Sequence, residues 1–190
     1  MNRTVVLNWL ADHVPKPRVN HILRVEETAV SLAQRHDLDP MKAGQAGLLH
    51  DLAKYFKAAR LLRMARAEAL SLDPIVEENP HLLHGPVGAI VAREQFRVQD
   101  LEVLDAIANH TLGSPDMSPL SCVIFLADGT EPGRGDHPKL KEIREVSQNN
   151  LHRAVALLCD RKLRRLLKNK QLVHPQMVLT RNWALQQTTE

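Results

Sequence analysis

Aromatic residues are scarce in this chain, with three Phe, two Trp and one Tyr among 190 residues. A core of stacked rings is therefore excluded. The buried volume has to come from Leu, Val, Ala and Ile, which suits packed helices. No aromatic-rich pocket for a nucleobase is evident, so base selectivity is expected to be loose. Cysteine is nearly missing: Cys122 and Cys159 stand in no metal-like spacing, and read as two buried cytosolic thiols. No run approaches the ~18 apolar residues of a membrane span. The opening MNRTVVLNWLADHVP is interrupted by Asn8 and Asp12 and does not read as a signal peptide. A cytoplasmic protein with no membrane partner is expected. The net charge of +3 favours an anionic partner but is too small to claim nucleic acid.

What is present points to one all-α domain over residues 1–190, its core about 18–130. The apolar fraction of 44% is enough to bury a core. No strand or hairpin signal appears. Helices are expected at about 4–13 and 18–36, from Asp39-Pro40 to about 52, and at 57–70. Residues 71–80 read as a linker with one short helical turn. Another helix opens near His84, and Asp100 caps one that ends at His110. Ser118-Pro119 starts one that ends near Asp128. Residues 129–138 read as a Gly/Pro-rich loop too charged to be core. C-terminal helices at about 139–170, broken near Asn149, and 175–187 are expected to cover the core.

Histidine is abundant. Ten His and eleven Asp in a chain this long predict about 0.6 adjacent His-Asp pairs by chance, so the two observed pairs prove nothing alone. Context separates them. His36-Asp37 lies in QRHDLDP, a polar helix end. His50-Asp51 sits between AGQAGLL and LAK, with Ala43 and Ala46 on the face of His50. A His and an Asp inside an apolar helix are costly unless something pairs them, and a cation would do so. His21, His84, His110 and Asp128 likewise occupy positions where the helical pattern expects an apolar residue. Four imidazoles and two carboxylates suit a pair of borderline divalent ions such as iron, manganese or zinc. The absence of Cys ligands argues against a structural zinc site.

The order His…His-Asp…His…His…Asp on helices resembles the HD-domain metallophosphohydrolases. The match is closer still to the YqeK family of HD-domain hydrolases. It rests on RVNHILRVEETA at 18–29, AGLLHDLAK at 46–54, LLHGPVGA at 82–89, NHTLGSPDMS at 109–118, FLADGTEPGRG at 125–135 and HPQMVLTRNW at 174–183. Gly129-Thr130, where bulkier residues are expected, and Ser114, where a basic residue is frequent, depart from the family pattern.

The resemblance implies a helical-bundle hydrolase that cleaves diadenosine tetraphosphate symmetrically into two ADP. A metal-activated water would attack an inner phosphate, with one or two divalent ions, iron first among them. It implies that His21, His50, Asp51 and Asp128 hold the first metal, and that Asp51, His84 and His110 serve the second. Asp51 and Lys54 would be catalytic. Arg18, His84, His110, Thr111, Arg134 and Arg181 would bind the substrate. A homodimer is compatible with the chain. Rival readings are another HD nucleotide phosphohydrolase, acting on mononucleotides or guanosine polyphosphates, and a silent nucleotide sensor. A third is a nucleic-acid module built on RKLRRLLKNK at 161–170. That last segment carries an apolar stripe of Leu163, Leu166 and Leu167, so its basic side reads as a solvated outer face, and nucleic acid is disfavoured as a partner.

The contrast between the two His-Asp pairs is testable. His50→Ala or Asp51→Ala is expected to abolish both bound metal and hydrolysis, whereas His36→Ala and Asp37→Ala change neither. Metal analysis with activity assays decides it, and a fully active, metal-retaining His50→Ala protein refutes the assignment.

Overall fold

The computed structural model describes residues 1–188. It contains eleven α-helices: α1 (Arg3–His13), α2 (Lys16–Arg35), α3 (Pro40–Leu49), α4 (Ala58–Ala67), α5 (Pro74–Glu78), α6 (His84–Phe96), α7 (Leu101–Asn109), α8 (Pro119–Thr130), α9 (Pro138–Ser147), α10 (Leu151–Lys168) and α11 (Pro175–Gln186). Short 3₁₀ turns span Pro80–Leu83 and Pro132–Arg134. The described residues contain no strand, and the fold is all-α.

Local chemistry explains the helix starts. Asp39, Asp100 and Ser118 each cap their helix by accepting from main-chain N–H groups of the first turn, and Pro40 and Pro119 follow in positions where no donor is needed. Asn150 caps α10, which accounts for the break in the long C-terminal segment.

Helices α2, α3, α7 and α8 pack together as the centre of the bundle. Helix α8 is buried on nearly every side, from Leu120 through Ala127, as expected of a helix apolar all round. Phe125 and Trp183 are the aromatics of a core that is otherwise mostly aliphatic. Helix α6 lies on α7 and α4, and α10 packs on α8, α9 and α11.

Two expected boundaries shift. Helix α3 ends at Leu49 rather than near residue 52. Beyond it the chain tightens into turns, with Leu52 N donating to Leu49 O at 3.2 Å and Lys54 N to Asp51 O at 3.0 Å. Helix α8 runs two residues past Asp128, and the 129–138 segment is not all solvated: Thr130 and Glu131 are buried. Charge alone misplaced Glu131, because its carboxylate is fully engaged by hydrogen bonds, as described below.

Glycines set two close approaches that position the site. A Cβ on Gly47 would lie 2.9 Å from the Cα of Glu26 on α2, and one on Gly85 would lie 2.6 Å from the carbonyl oxygen of Ala108 on α7. Alanine in place of a helical glycine gains about 1 kcal/mol in intrinsic preference. Here the neighbour is main chain and cannot step aside, so overpacking of about 1–3 kcal/mol is expected to outweigh that gain. Gly47→Ala and Gly85→Ala should each unfold at lower urea concentration than the parent. An unchanged or raised midpoint would show that the helices have room to part.

Candidate metal centre

Five elements bring the expected ligands to one place. His21 comes from α2, and His50 and Asp51 from the end of α3. His84 is the first residue of α6, His110 is the cap of α7, and Asp128 lies near the end of α8. The rings sit edge to face, with centroids 5.4 Å apart for His21 and His50, 5.0 Å for His50 and His110, and 4.8 Å for His84 and His110. Asp51 stands between them with no exposed surface. Its Oδ2 lies 3.3 Å from His50 Nε2 and 3.9 Å from His21 Nε2. Its Oδ1 lies 3.6 Å from His84 Nε2 and 3.8 Å from His110 Nε2. Asp128 Oδ1 is 3.2 Å from His21 Nε2 and 3.9 Å from His50 Nε2.

Each ring is held by its other nitrogen. His50 Nδ1 donates to Gly47 O at 2.7 Å, His84 Nδ1 to His81 O at 2.5 Å and His110 Nδ1 to Ile107 O at 2.7 Å. In each case the acceptor is the carbonyl three residues earlier. His21 Nδ1 instead donates to the Glu131 carboxylate at 3.0 Å. Because carbonyl and carboxylate oxygens only accept, Nδ1 carries the proton in all four rings, which turns the Nε2 lone pairs inward. Within this polar pocket His21 Nε2, His50 Nε2 and Asp51 Oδ1 are buried with no hydrogen-bond partner among the described residues. Unpaired buried polar atoms are expensive, and three of them gathered around one carboxylate fit a cation. Two overlapping groups have metal-ligand spacing: His21, His50 and Asp51, and Asp51, His84 and His110.

The electrostatics agree. Burial would raise the Asp51 carboxyl, but His50, Arg18 and His110 outweigh it and hold the group well below the usual range. Burial likewise opposes charge on Asp128, and His21, His50 and Arg134 overrule it. Burial, with Lys54 beside it, lowers His84 to about 4, and burial, with His84 and His50, pulls His110 well down. Burial opposes charge on His50 as well, but Asp51, Asp128 and the Gly47 carbonyl overrule it and raise its pKa. The site thus offers charged carboxylates, with neutral imidazoles at His84 and His110, the forms that bind metal.

The cationic residues divide. Arg18 pairs with Asp51 through both Nε and Nη2. Arg134 reaches Asp128 Oδ1 at 2.6 Å. Lys54 Nζ lies 3.2 Å from His84 Nε2, and Thr111 Oγ1 lies 3.2 Å from the same nitrogen. Arg181 is not brought in: its Nε donates to Asp160 at 2.7 Å, and it does not line the cavity. That cavity, of about 850 Å³, opens over the cluster, and Arg18, Lys54, His84, Thr111, Asp128 and Arg134 share its wall.

Sequence reasoning missed three features. Glu131 supports His21 and also accepts from Arg24 and from Gly133 N, both at 2.5 Å. Burial would raise its pKa, but Arg24, His21 and Gly133 bring it down to about 2. The signal was its place one turn after Asp128, within EPGR. The basic side of α10 is not a solvated outer face throughout: Arg161, Lys162 and Arg165 line the cavity. His174 lines it too and pairs with Asp73 at 2.7 Å. The unexpected Gly129 has a reason, since a Cβ there would strike the Leu158 side chain at 2.4 Å where α8 meets α10.

A helical fold that aims four imidazoles and two carboxylates at one point defines a metal-binding protein of the HD class. The HD domain model matches residues 18–133, a span that includes all six ligand candidates. The chain is 34% identical to the symmetrical bis(5'-nucleosyl)-tetraphosphatase of Bacillus subtilis (strain 168), with 96% of this chain and 97% of that protein covered. It is 36% identical to the protein of the same name from Halalkalibacterium halodurans, over 97% and 98% of the two chains. A crystal structure of a predicted HD superfamily hydrolase involved in NAD metabolism from Clostridium acetobutylicum is similar with a TM-score of 0.94 at 30% identity, covering 99% of both chains. The chain belongs to the HD-domain family, in the YqeK-type branch whose curated members are named symmetrical bis(5'-nucleosyl)-tetraphosphatase.

Carboxylates that orient a metal-binding His typically contribute about 10- to 100-fold in metal affinity. Glu131→Gln is therefore expected to keep the helical fold and lose affinity for a divalent ion in that range, read by competition with a chelator. Parent-like affinity would show that Glu131 only closes the loop.

Proposed function

We propose that this chain hydrolyses a dinucleoside tetraphosphate, diadenosine tetraphosphate foremost, symmetrically into two nucleoside diphosphates, using one or two divalent ions, iron first among them. The observation that carries the reading is the set of buried, partnerless atoms, His21 Nε2, His50 Nε2 and Asp51 Oδ1, next to Arg18, His84 and Asp128, which line a cationic cavity. The substrate comes from relatives named for it that align over nearly the whole chain.

In this reading His21, His50, Asp51 and Asp128 hold one ion, and Asp51, His84 and His110 hold the other. Divalent ions bound there supply an activated water at neutral pH and neutralise phosphate oxygens. The chain's own residues do the rest. The fixed Nδ1 bonds keep every ring aimed without reorganisation. Arg18 and Arg134 sit at the cavity wall, where their guanidinium groups match phosphate oxygens. Lys54, half-buried beside His84, places a further cation over the inner phosphates, and Thr111 offers a hydroxyl. Water adds to an inner phosphorus, the central P–O bond breaks, and the developing negative charge on the departing diphosphate meets this cationic wall. The reading includes a cytoplasmic setting, supported by two unpaired buried thiols that burial raises to about 12 for Cys122 and about 11 for Cys159.

Diadenosine tetraphosphate in ¹⁸O-water should yield ADP as the sole nucleotide, with half of it labelled on the terminal phosphate. ATP with AMP would refute the cleavage position, and loss of phosphate from mononucleotides alone would replace the reading with a broader nucleotidase. Arg18→Ala and Arg134→Ala should retain metal but lose about 10- to 150-fold in kcat/KM, the worth of one charge-assisted contact.

A further inference from the structure

Six cationic side chains line the cavity: Arg18, Lys54, Arg134, Arg161, Lys162 and Arg165. The first three are engaged with the ligand cluster, Arg18 with Asp51, Arg134 with Asp128 and Lys54 with His84. The three on α10 are different. Among the described residues none of them meets a carboxylate. Lys162 donates to the Thr111 carbonyl at 3.4 Å and lies 3.9 Å from the centre of the Phe125 ring, with no carboxylate in ion-pair contact; burial lowers its pKa against the pull of Asp128. The side chains of Arg161 and Arg165 make no hydrogen bond or ion pair with any described residue.

Their arrangement is purposeful in physical terms. Residues 161 and 165 are one turn apart and share a face of α10. Burial, then the nearby Arg165 and Arg134, disfavour the charged form of Arg161, the signature of like charges gathered without a counter-charge. Such a group repels itself unless an anion joins it, and guanidinium forks suit phosphate oxygens. A four-phosphate chain is longer than the reaction at one P–O bond requires. Once its inner phosphates lie over the metal ligands, the remainder has to run along the cavity wall.

We infer that Arg161, Lys162 and Arg165 form an anion subsite that holds the part of the polyphosphate chain lying beyond the cleaved bond, and that they select long phosphate chains over short ones. The identity of the substrate rests on the proposed hydrolase reading, whereas the subsite's affinity for a polyphosphate can be measured without it.

The probe is inorganic tripolyphosphate, titrated calorimetrically into the full chain as purified. Arg161→Gln/Arg165→Gln removes two charges from the cavity wall. Arg164→Gln/Lys168→Gln removes two from the same helix, at positions that line an adjoining groove and not the cavity. The first pair should bind tripolyphosphate at least about 10-fold more weakly, the lower bound for one charge-assisted contact, while the second stays near the parent. In turnover, the first pair should raise KM for diadenosine tetraphosphate far more than for a shorter dinucleoside polyphosphate. Parent-like tripolyphosphate affinity in Arg161→Gln/Arg165→Gln overturns the subsite, whatever the enzyme hydrolyses. So does an equal loss in both pairs, because attraction would then follow net charge alone. A selective loss in a protein that leaves diadenosine tetraphosphate intact upholds the subsite and sinks the proposed substrate.

Discussion

A carboxylate with no exposed surface has to be surrounded by positive charge, and most of this molecule is arranged around that requirement at Asp51. Removing such a group from water costs several kcal/mol even after the protein relaxes. Arg18 compensates one oxygen, while the other, Oδ1, has no hydrogen-bond partner and faces His84 and His110. The polar demand of one side chain thus recruits α2, α6 and α7 to the end of α3. The close helix contacts at Gly47 and Gly85 are where that recruitment is made sterically possible.

A second layer keeps the ligands in place. Glu131 bonds His21, and Arg24 and the Gly133 N–H hold Glu131 in turn, so the segment after α8 is tied back onto α2. Arg144 extends the tie by donating to the Thr130 and Glu131 carbonyls, at 2.7 Å and 3.1 Å, from α9. The C-terminal helices are therefore linked to the metal centre through hydrogen bonds as well as through apolar contact with α8.

How much of this could be read from the chain depends on what each residue's signal was. Asp39-Pro40, Asp100 and Ser118-Pro119 announced their helices because capping is local chemistry. The ligand candidates stood out as polar residues at positions of apolar periodicity, which is a property of one helix at a time. Glu131 carried no such mark: in a charged, Gly/Pro-rich stretch, one buried carboxylate looks like its solvated neighbours. The α10 cations failed for a related reason. An amphipathic helix shows which side is polar, but whether that side meets bulk water or a cavity is decided by the other helices. Arg181 is a different case, since a position matching a motif says nothing about the rotation that points the side chain at Asp160.

Three of the four rings are fastened to the main chain of their own helical turn, at Gly47, His81 and Ile107. None of those anchors depends on another ligand. Withdrawing an ion would therefore change the charge of the centre far more than its shape, and the vacated nitrogens would remain where the next ion needs them. Such a centre would serve as a socket, through which ions would exchange without the helices refolding. Which metal resides there is then governed as much by what its surroundings supply as by the geometry of the protein.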